Sequence, residues 1–419
     1  MPANKRKILN DPVYGFITIP DELIFDILEH SYFQRLRRIQ QLGLTHYVYP
    51  GALHTRFHHA LGAMHLMNNA LEMIRLKGTD VTEQEYISAT LAILLHDIGH
   101  GPFSHSLEHS IVSSVPHEDI SLAIMQHLNK HFDGRLENAL HIFKGTYPRA
   151  FFHQLVSGQL DVDRLDYLTR DSFFTGVSEG VIGTERIIKM MNVCENQLVI
   201  EEKGIYSIEK FLISRQLMYW QVYLHKTVVA AEILLIKVLQ RAHYLCVAGE
   251  KVECSPALEP FLKKKITKQE FFSSKEYLHL FCSLDDFDVI SSIKLWMNHS
   301  DKVLSDLSKR VINRRLFRTI LLKKPVDKET MDIIRKETAL KMNISLEDAD
   351  FYVNTGKKSA QVYDPNHNPI MIFYRDGSLK DVTEASTTVN LGLISGQQTR
   401  YNLTFPKEVG AIVEKIVRR

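Results

Sequence analysis

Apolar residues recur at three- and four-residue spacing through long stretches of the chain. Phe57, Leu61, Met64, Ala70, Leu71 and Ile74 are one such series, and the spacing predicts amphipathic helix over most of the first two thirds. A second helix is predicted from Thr82, whose hydroxyl caps the chain while Glu85 reaches back in a capping box. It runs through Ile87, Leu91 and Leu94 to His96, where Gly99, Gly101 and Pro102 stop it. A third is predicted over residues 151–170, with Asp163, Tyr167 and Arg170 on one face. Alternating apolar and polar residues predict hairpins over 197–206, turning at Lys203-Gly204, and over 370–382, turning at Asp376-Gly377. Charge and alternation increase from about Lys323 onward, punctuated by Pro325, Pro365 and Pro369. The expected architecture is mainly α: a helical core with small β-hairpins over residues 1–320, then a smaller α+β domain over 321–419.

Composition narrows the class. With 45% hydrophobic residues, 419 residues fill a large core without covalent staples. The four cysteines, Cys194, Cys246, Cys254 and Cys282, lie far apart with no CxxC pair, which argues against a zinc knuckle or a disulfide framework and for reduced thiols. The basic N-terminus has no apolar segment behind it, and no run of ~18 uncharged apolar residues occurs. A cytoplasmic protein with no membrane span is expected. A net charge of +2 argues against general nucleic-acid binding. Many of the 20 histidines fall between His54 and His117, a concentration that points to metal or acid–base chemistry.

The sharpest motif is HDIGHGPFSH, residues 96–105, where a histidine and an aspartate are adjacent at a glycine-rich helix break. Successive helical side chains diverge by about 100°, so neighbouring ligands reach one ion only at the last turn or where regular helix ends. Upstream, TRFHHALG offers His58 and His59, and downstream DVDRLDY offers Asp161, Asp163 and Asp166. Three helices therefore deliver nitrogen and oxygen ligands toward one point. Imidazole and carboxylate without thiolate suit divalent manganese, magnesium, iron, cobalt, nickel or zinc.

Four long motifs, FQRLRRIQQLG at 33–43, YPGALHTRFHHALG at 49–62, HDIGHGPFSH, and DVDRLDYLTRD at 161–171, resemble the HD-domain phosphohydrolase superfamily. The resemblance is strongest to its deoxynucleoside triphosphate (dNTP) triphosphohydrolases, including the vertebrate enzyme that carries an added SAM domain. It runs from about Lys7 to about Thr319 and implies no SAM domain ahead of it. It implies that His59, His96, Asp97 and Asp163 hold the metal, and that a metal-activated water attacks the α-phosphorus to release deoxynucleoside and tripolyphosphate. By the same likeness His105 protonates the departing 5′-oxygen, supported by His117 and Glu108, with His100 nearby.

The resemblance further places Arg56, Arg164 and Arg215 at phosphate-contacting positions, where arginine's planar fork suits phosphate oxygens. Gln41, Leu42, Tyr167, Asp171 and Tyr223 match sugar-recognising positions. Leu42 and Tyr223 match residues packed against C2′, and Asp171 matches one bonded to the 3′-hydroxyl. Deoxyribose preference is thereby expected. Leu224 and Tyr219 depart from the vertebrate pattern beside the base, so no base preference carries over. A homo-oligomer, dimer or tetramer, is implied as well. Between its subunits an activating nucleotide would meet Lys7, Ile8, Glu29, Gln34 and Arg37, with Arg314 and Arg318 opposite. The other readings are an HD phosphohydrolase acting on a nucleoside monophosphate, a cyclic dinucleotide or guanosine tetraphosphate, and a non-catalytic nucleotide- or nucleic-acid-binding scaffold.

Overall fold

The computed structural model describes residues 7–103, 115–393 and 395–417. Its central element is helix α1 (Arg56–Leu76), on which Phe57, Leu61, Met64, Ala70, Leu71 and Ile74 are all buried, as their spacing predicts. Helix α2 (Glu83–Leu95) packs along α1. The predicted capping box is present: Glu85 N–H donates to Thr82 Oγ1 (3.2 Å), and Thr82 N–H donates to Glu85 Oε2 (2.9 Å). Helix α3 (His117–His131) follows.

The helix expected over 151–170 is two helices, α4 (Ala150–Val156) and α5 (Val162–Thr175). Asp161 makes the break. Its Oδ2 accepts from Gly158 N–H (3.0 Å) and its Oδ1 from Arg164 N–H (2.7 Å), so the side chain captures amides that a continuous helix would pair internally. The interruption puts Asp163 in the first turn of α5, which packs against α1. Helix α6 (Ile205–Met218) runs into a single π turn over Tyr219–Tyr223 before α7 (Lys226–Val247), and α8 (Asp286–Trp296) lies beyond. None of the described helices is long and apolar enough to cross a membrane.

Strands are few and short. The N-terminal hairpin pairs β1 (Ile8–Asp11) with β2 (Gly15–Thr18). The next hairpin joins β3 (Met191–Cys194) to β4 (Gln197–Glu201), and it corrects the expected turn. The chain reverses at Glu195-Asn196, both with positive φ (50° and 62°), as a two-residue hairpin turn requires. At Lys203-Gly204 the backbone instead enters α6, and Gly204 has an ordinary φ of −86°.

The region after 320 is α+β, as expected. Strand β5 (Arg318–Leu322), β6 (Asn354–Ala360) and β9 (Gln398–Phe405) form one sheet in the order β5-β9-β6, backed by helices Lys328–Met342 and Gly410–Val417. Met331, Ile334, Leu403, Phe405 and Val413 make its own apolar cluster. The predicted hairpin about Asp376-Gly377 forms between β7 (Met371–Phe373) and β8 (Leu379–Asp381). It joins the earlier hairpin, since β7 pairs in parallel with β4, and Tyr352, Tyr363 and Ile372 pack into the main core.

Candidate metal centre

Three elements converge where α1, the end of α2 and the start of α5 meet. His59 stands on α1, His96 caps the C-terminus of α2, and Asp163 lies in the first turn of α5. One ligand atom from each lies within 4.8 Å of the other two. His59 Nε2 is 3.1 Å and His96 Nε2 3.5 Å from Asp163 Oδ1. Both Nε2 atoms are buried with no hydrogen-bond partner among the described residues. Orphaned buried nitrogens are costly, and two aimed at one carboxylate are the donor set of a divalent cation site. The residues therefore fit a metal ion.

The opposite nitrogens fix both rings. His59 Nδ1 is 2.7 Å from Asp166 Oδ2, and His96 Nδ1 is 2.6 Å from the Ile93 carbonyl, which holds each Nε2 toward the centre. Regular helix ends at His96, where Ser121 Oγ donates to the His96 carbonyl (2.7 Å) and accepts from Gly99 N–H (2.9 Å). Only glycine fits at 99, because a Cβ there would lie 2.3 Å from the His117 carbonyl oxygen. This close approach brings the start of α3 against the motif.

Asp97 bridges the centre and a second group. Its Oδ1 is 3.4 Å from His96 Nε2 and also 3.4 Å from His100 Nε2, while its Oδ2 is 3.9 Å from His59 Nε2 and 2.5 Å from Arg56 Nη1. Asp97, His100 and His117 also offer ligand atoms within 4.8 Å of one another. The His100 and His117 rings stack, with centroids 3.8 Å apart. His105 and Glu108 lie outside the described residues.

The electrostatics agree with a cation site. Burial opposes a charged His59, but the Asp163 and Asp166 carboxylates outweigh it and raise its pKa to about 10. For His96, burial is likewise outweighed, here by Asp97 and Asp163, and its pKa rises to about 8. Burial pushes the Asp163 carboxyl up, yet His59 and His96 bring it below its ordinary value. His100 is held well below 6.5, by burial and then by Arg56. A centre that draws protons onto two adjoining imidazoles has excess negative charge, for which a divalent cation would compete.

The predicted phosphate and sugar residues flank this centre along α5. Asp163, Tyr167 and Asp171 fall at four-residue steps, so they line one stripe of the helix over about 12 Å. Arg170, expected on the same face, is instead fully buried against Asp166 and Asp11. Arg164 and Arg215 both stand beside Tyr167. Arg164 Nη1 donates to Asp161 Oδ2 (3.0 Å) and Arg215 Nη1 to the Val362 carbonyl (2.5 Å); each Nε is buried with no hydrogen-bond partner among the described residues. Tyr223 Oη donates to Asp171 Oδ2 (2.7 Å), while His54 Nε2 sits 2.8 Å from Asp171 Oδ1. The Tyr167 and Tyr223 rings meet edge to face at 6.1 Å. Gln41 N–H donates to the His54 carbonyl (3.0 Å), its Oε1 is buried with no hydrogen-bond partner among the described residues, and Leu42 packs against the core at the turn that follows.

Of the residues matched to an activating nucleotide, Lys7 lies 5.2 Å over the Phe25 ring, Ile8 and Glu29 are exposed, and Arg37 Nε donates to Gln34 Oε1 (2.8 Å). Arg314 Nε donates to the Tyr47 carbonyl (2.7 Å) and Arg318 pairs with Glu414.

Sequence reasoning missed the supporting roles of His54, Asp11 and Asp286, and offered Asp166 only as a possible ligand. His54 holds Asp171, and Asp166 and Asp11 act from behind His59. Asp286, at the start of α8, accepts from Gln40 N–H (2.8 Å) and Phe103 N–H (2.9 Å), tying the Gln41 segment to the end of the histidine motif. Burial raises the Asp286 carboxyl to about 7. Position 286 carried no motif, so only the contact identifies it.

Comparison with known proteins agrees with this geometry. The HD domain family matches residues 56–171, and the HD associated region matches residues 182–255. The chain is 34% identical to the Bacillus subtilis protein YwfO over 97% of its own length and 93% of that protein's. It is 30% identical to the deoxynucleoside triphosphate triphosphohydrolase SAMHD1 homolog of Dictyostelium discoideum over 59% of its length, spanning about half (51%) of that relative. A crystal structure of a phosphohydrolase from Bacteroides thetaiotaomicron superposes with a TM-score of 0.93 at 50% identity, covering 96% of this chain and 99% of that one.

Proposed function

The chain belongs to the HD-domain phosphohydrolase superfamily, and on that premise we propose that it hydrolyses deoxynucleoside triphosphates to deoxynucleoside and tripolyphosphate, with a divalent cation held by His59, His96, Asp97 and Asp163. The observation that carries the reading is the pair of orphaned Nε2 atoms aimed at Asp163, at the head of a helix whose next steps on the same stripe are Tyr167 and Asp171. Relatives named for dNTP hydrolysis, at about 30% identity, support this substrate class over other nucleotides.

When bound, the cation would neutralise charge building on the phosphoryl group and make water a better nucleophile. The chain's own residues do the rest. Arg164 and Arg215 each present an unpaired Nε beside Tyr167, and an anionic phosphate oxygen would satisfy both. Asp171 is held by His54 and Tyr223, which sets it to accept from a sugar hydroxyl, while the Tyr223 ring closes against C2′. A ribose 2′-hydroxyl buried there without a partner costs about 1–3 kcal/mol, a preference for deoxyribose of roughly ten- to hundredfold. The proton needed by the leaving 5′-oxygen is assigned to His105, with His117 and Glu108 supporting it and His100, stacked on His117 beside Asp97, nearby. We place the activity in a homo-oligomer, with Lys7, Ile8, Glu29, Gln34 and Arg37 of one subunit, and Arg314 and Arg318 opposite, taking an activating nucleotide.

A panel of the four dNTPs and four rNTPs, singly and in mixtures, with manganese, magnesium or cobalt, tests the reading. Tripolyphosphate is expected from at least one dNTP, with rNTPs turned over at least roughly tenfold more slowly. Pyrophosphate or orthophosphate as the first product, or equal turnover of rNTPs, would move the chain to another nucleotide class. Manganese at a hundred times its dissociation constant is expected to stabilise the fold by about 2.7 kcal/mol, read as a rise in melting temperature that EDTA reverses. A melting temperature indifferent to both reagents would count against the centre.

A further inference from the structure

Behind the candidate metal centre a buried chain of charges runs to the N-terminal hairpin. Asp11 ends β1, and its Oδ1 accepts from Val13 N–H (2.9 Å) and Tyr14 N–H (3.0 Å), which closes the hairpin turn. Its Oδ2 accepts from Arg170 Nη1 (2.8 Å). Arg170 turns the rest of its fork on Asp166, with Nε to Oδ2 and Nη2 to Oδ1, each 3.0 Å. Asp166 Oδ2 in turn lies 2.7 Å from His59 Nδ1. Arg170, Asp166 and His59 are fully buried, Asp11 is 6% exposed, and the Tyr14 ring covers the Arg170 guanidinium at 5.4 Å.

Every link has one satisfactory arrangement. A buried guanidinium needs its donors occupied, and Asp166 alone leaves Nη1 without a carboxylate. Asp11 supplies it. With Arg170 shared between two carboxylates, Asp166 keeps enough negative charge to accept the His59 Nδ1 proton, which fixes the tautomer whose Nε2 faces Asp163. We infer that Asp11 is a positioning residue for the metal centre, acting through Arg170 and Asp166 on His59, so that the β1–β2 hairpin and the cation are energetically coupled. This rests on reading His59 as a metal ligand.

The experiment measures manganese affinity of the full chain by titration calorimetry, without substrate. Loss of a carboxylate behind a ligating histidine typically weakens metal affinity by about 10- to 100-fold, and Asp166→Asn is expected in that range. Asp11→Asn is expected to weaken it severalfold, yet to add nothing in the Asp166→Asn background, because both act along one path. An unchanged affinity in Asp11→Asn, or a loss that adds in full to that of Asp166→Asn, would overturn the coupling. A second measurement needs no variant. Coupling is reciprocal, so hydrogen exchange at the Val13 and Tyr14 amides of the unaltered protein is expected to slow severalfold on adding manganese. Exchange there that ignores saturating manganese also overturns the inference. Absence of saturable manganese binding by the unaltered protein would instead remove the metal centre itself, a separate and recognisable failure.

Discussion

Asp163→Ala is expected to lower the hydrolysis rate by at least about a thousandfold, about 4 kcal/mol of lost transition-state stabilisation, while the chain still folds. Asp163 offers a single oxygen to both orphaned imidazole nitrogens, at 3.1 Å from His59 and 3.5 Å from His96, and its side chain is 23% exposed, open to a ligand. Its removal takes away the shared oxygen and much of the negative charge that attracts a cation. It leaves untouched the contacts that hold α5 in place, namely the Asp161 cap and the Asp166–Arg170 pair. Rate, manganese affinity and circular dichroism should be measured together. A variant that folds and binds no metal, but keeps most of its activity, would show that the chemistry happens elsewhere.

Gly62→Ala is expected to destabilise the protein by about 3 kcal/mol or more, as an added methyl group with nowhere to go. A Cβ at position 62 would lie 1.9 Å from Asp166 Oδ1 and 2.2 Å from Arg170 Nη2. Neither is a free end. Asp166 is held by His59 and Arg170, and Arg170 by Asp11, so relief requires breaking a buried ion pair or separating α1 from α5. Urea denaturation measures the cost, and a midpoint equal to that of the unaltered chain would mean the helices do not approach this closely. The defect should reach function too, since the displaced carboxylate is the one that orients His59.

Much of this was open to inspection in the chain itself. The Thr82–Glu85 box is a contact between residues three apart, and the series from Phe57 to Ile74 is a period set by helix geometry, so both were legible without the fold. The His96-Asp97 pair was legible as well, because adjacent ligands demand a helix end and the glycines beside it provide one. Residues 151–170 misled for a physical reason: Leu155, Leu160, Val162, Leu165 and Leu168 are all buried, and their apolar rhythm continues across a break that Asp161 makes with its side chain.

His54 and Asp171 are 117 residues apart, Asp11 and Arg170 are 159, and Phe103 and Asp286 are 183, and no periodicity connects such positions. The sequence by itself singled out the histidines and carboxylates of the candidate centre and the segments that coil, because ligand type and helical period are local properties. The family resemblance singled out Asp163, but only the tertiary structure decided that Asp161 is a cap and that Asp166 tethers His59. Three carboxylates within six residues are chemically alike until packing sets an amide opposite the first, two imidazoles opposite the second and an arginine opposite the third.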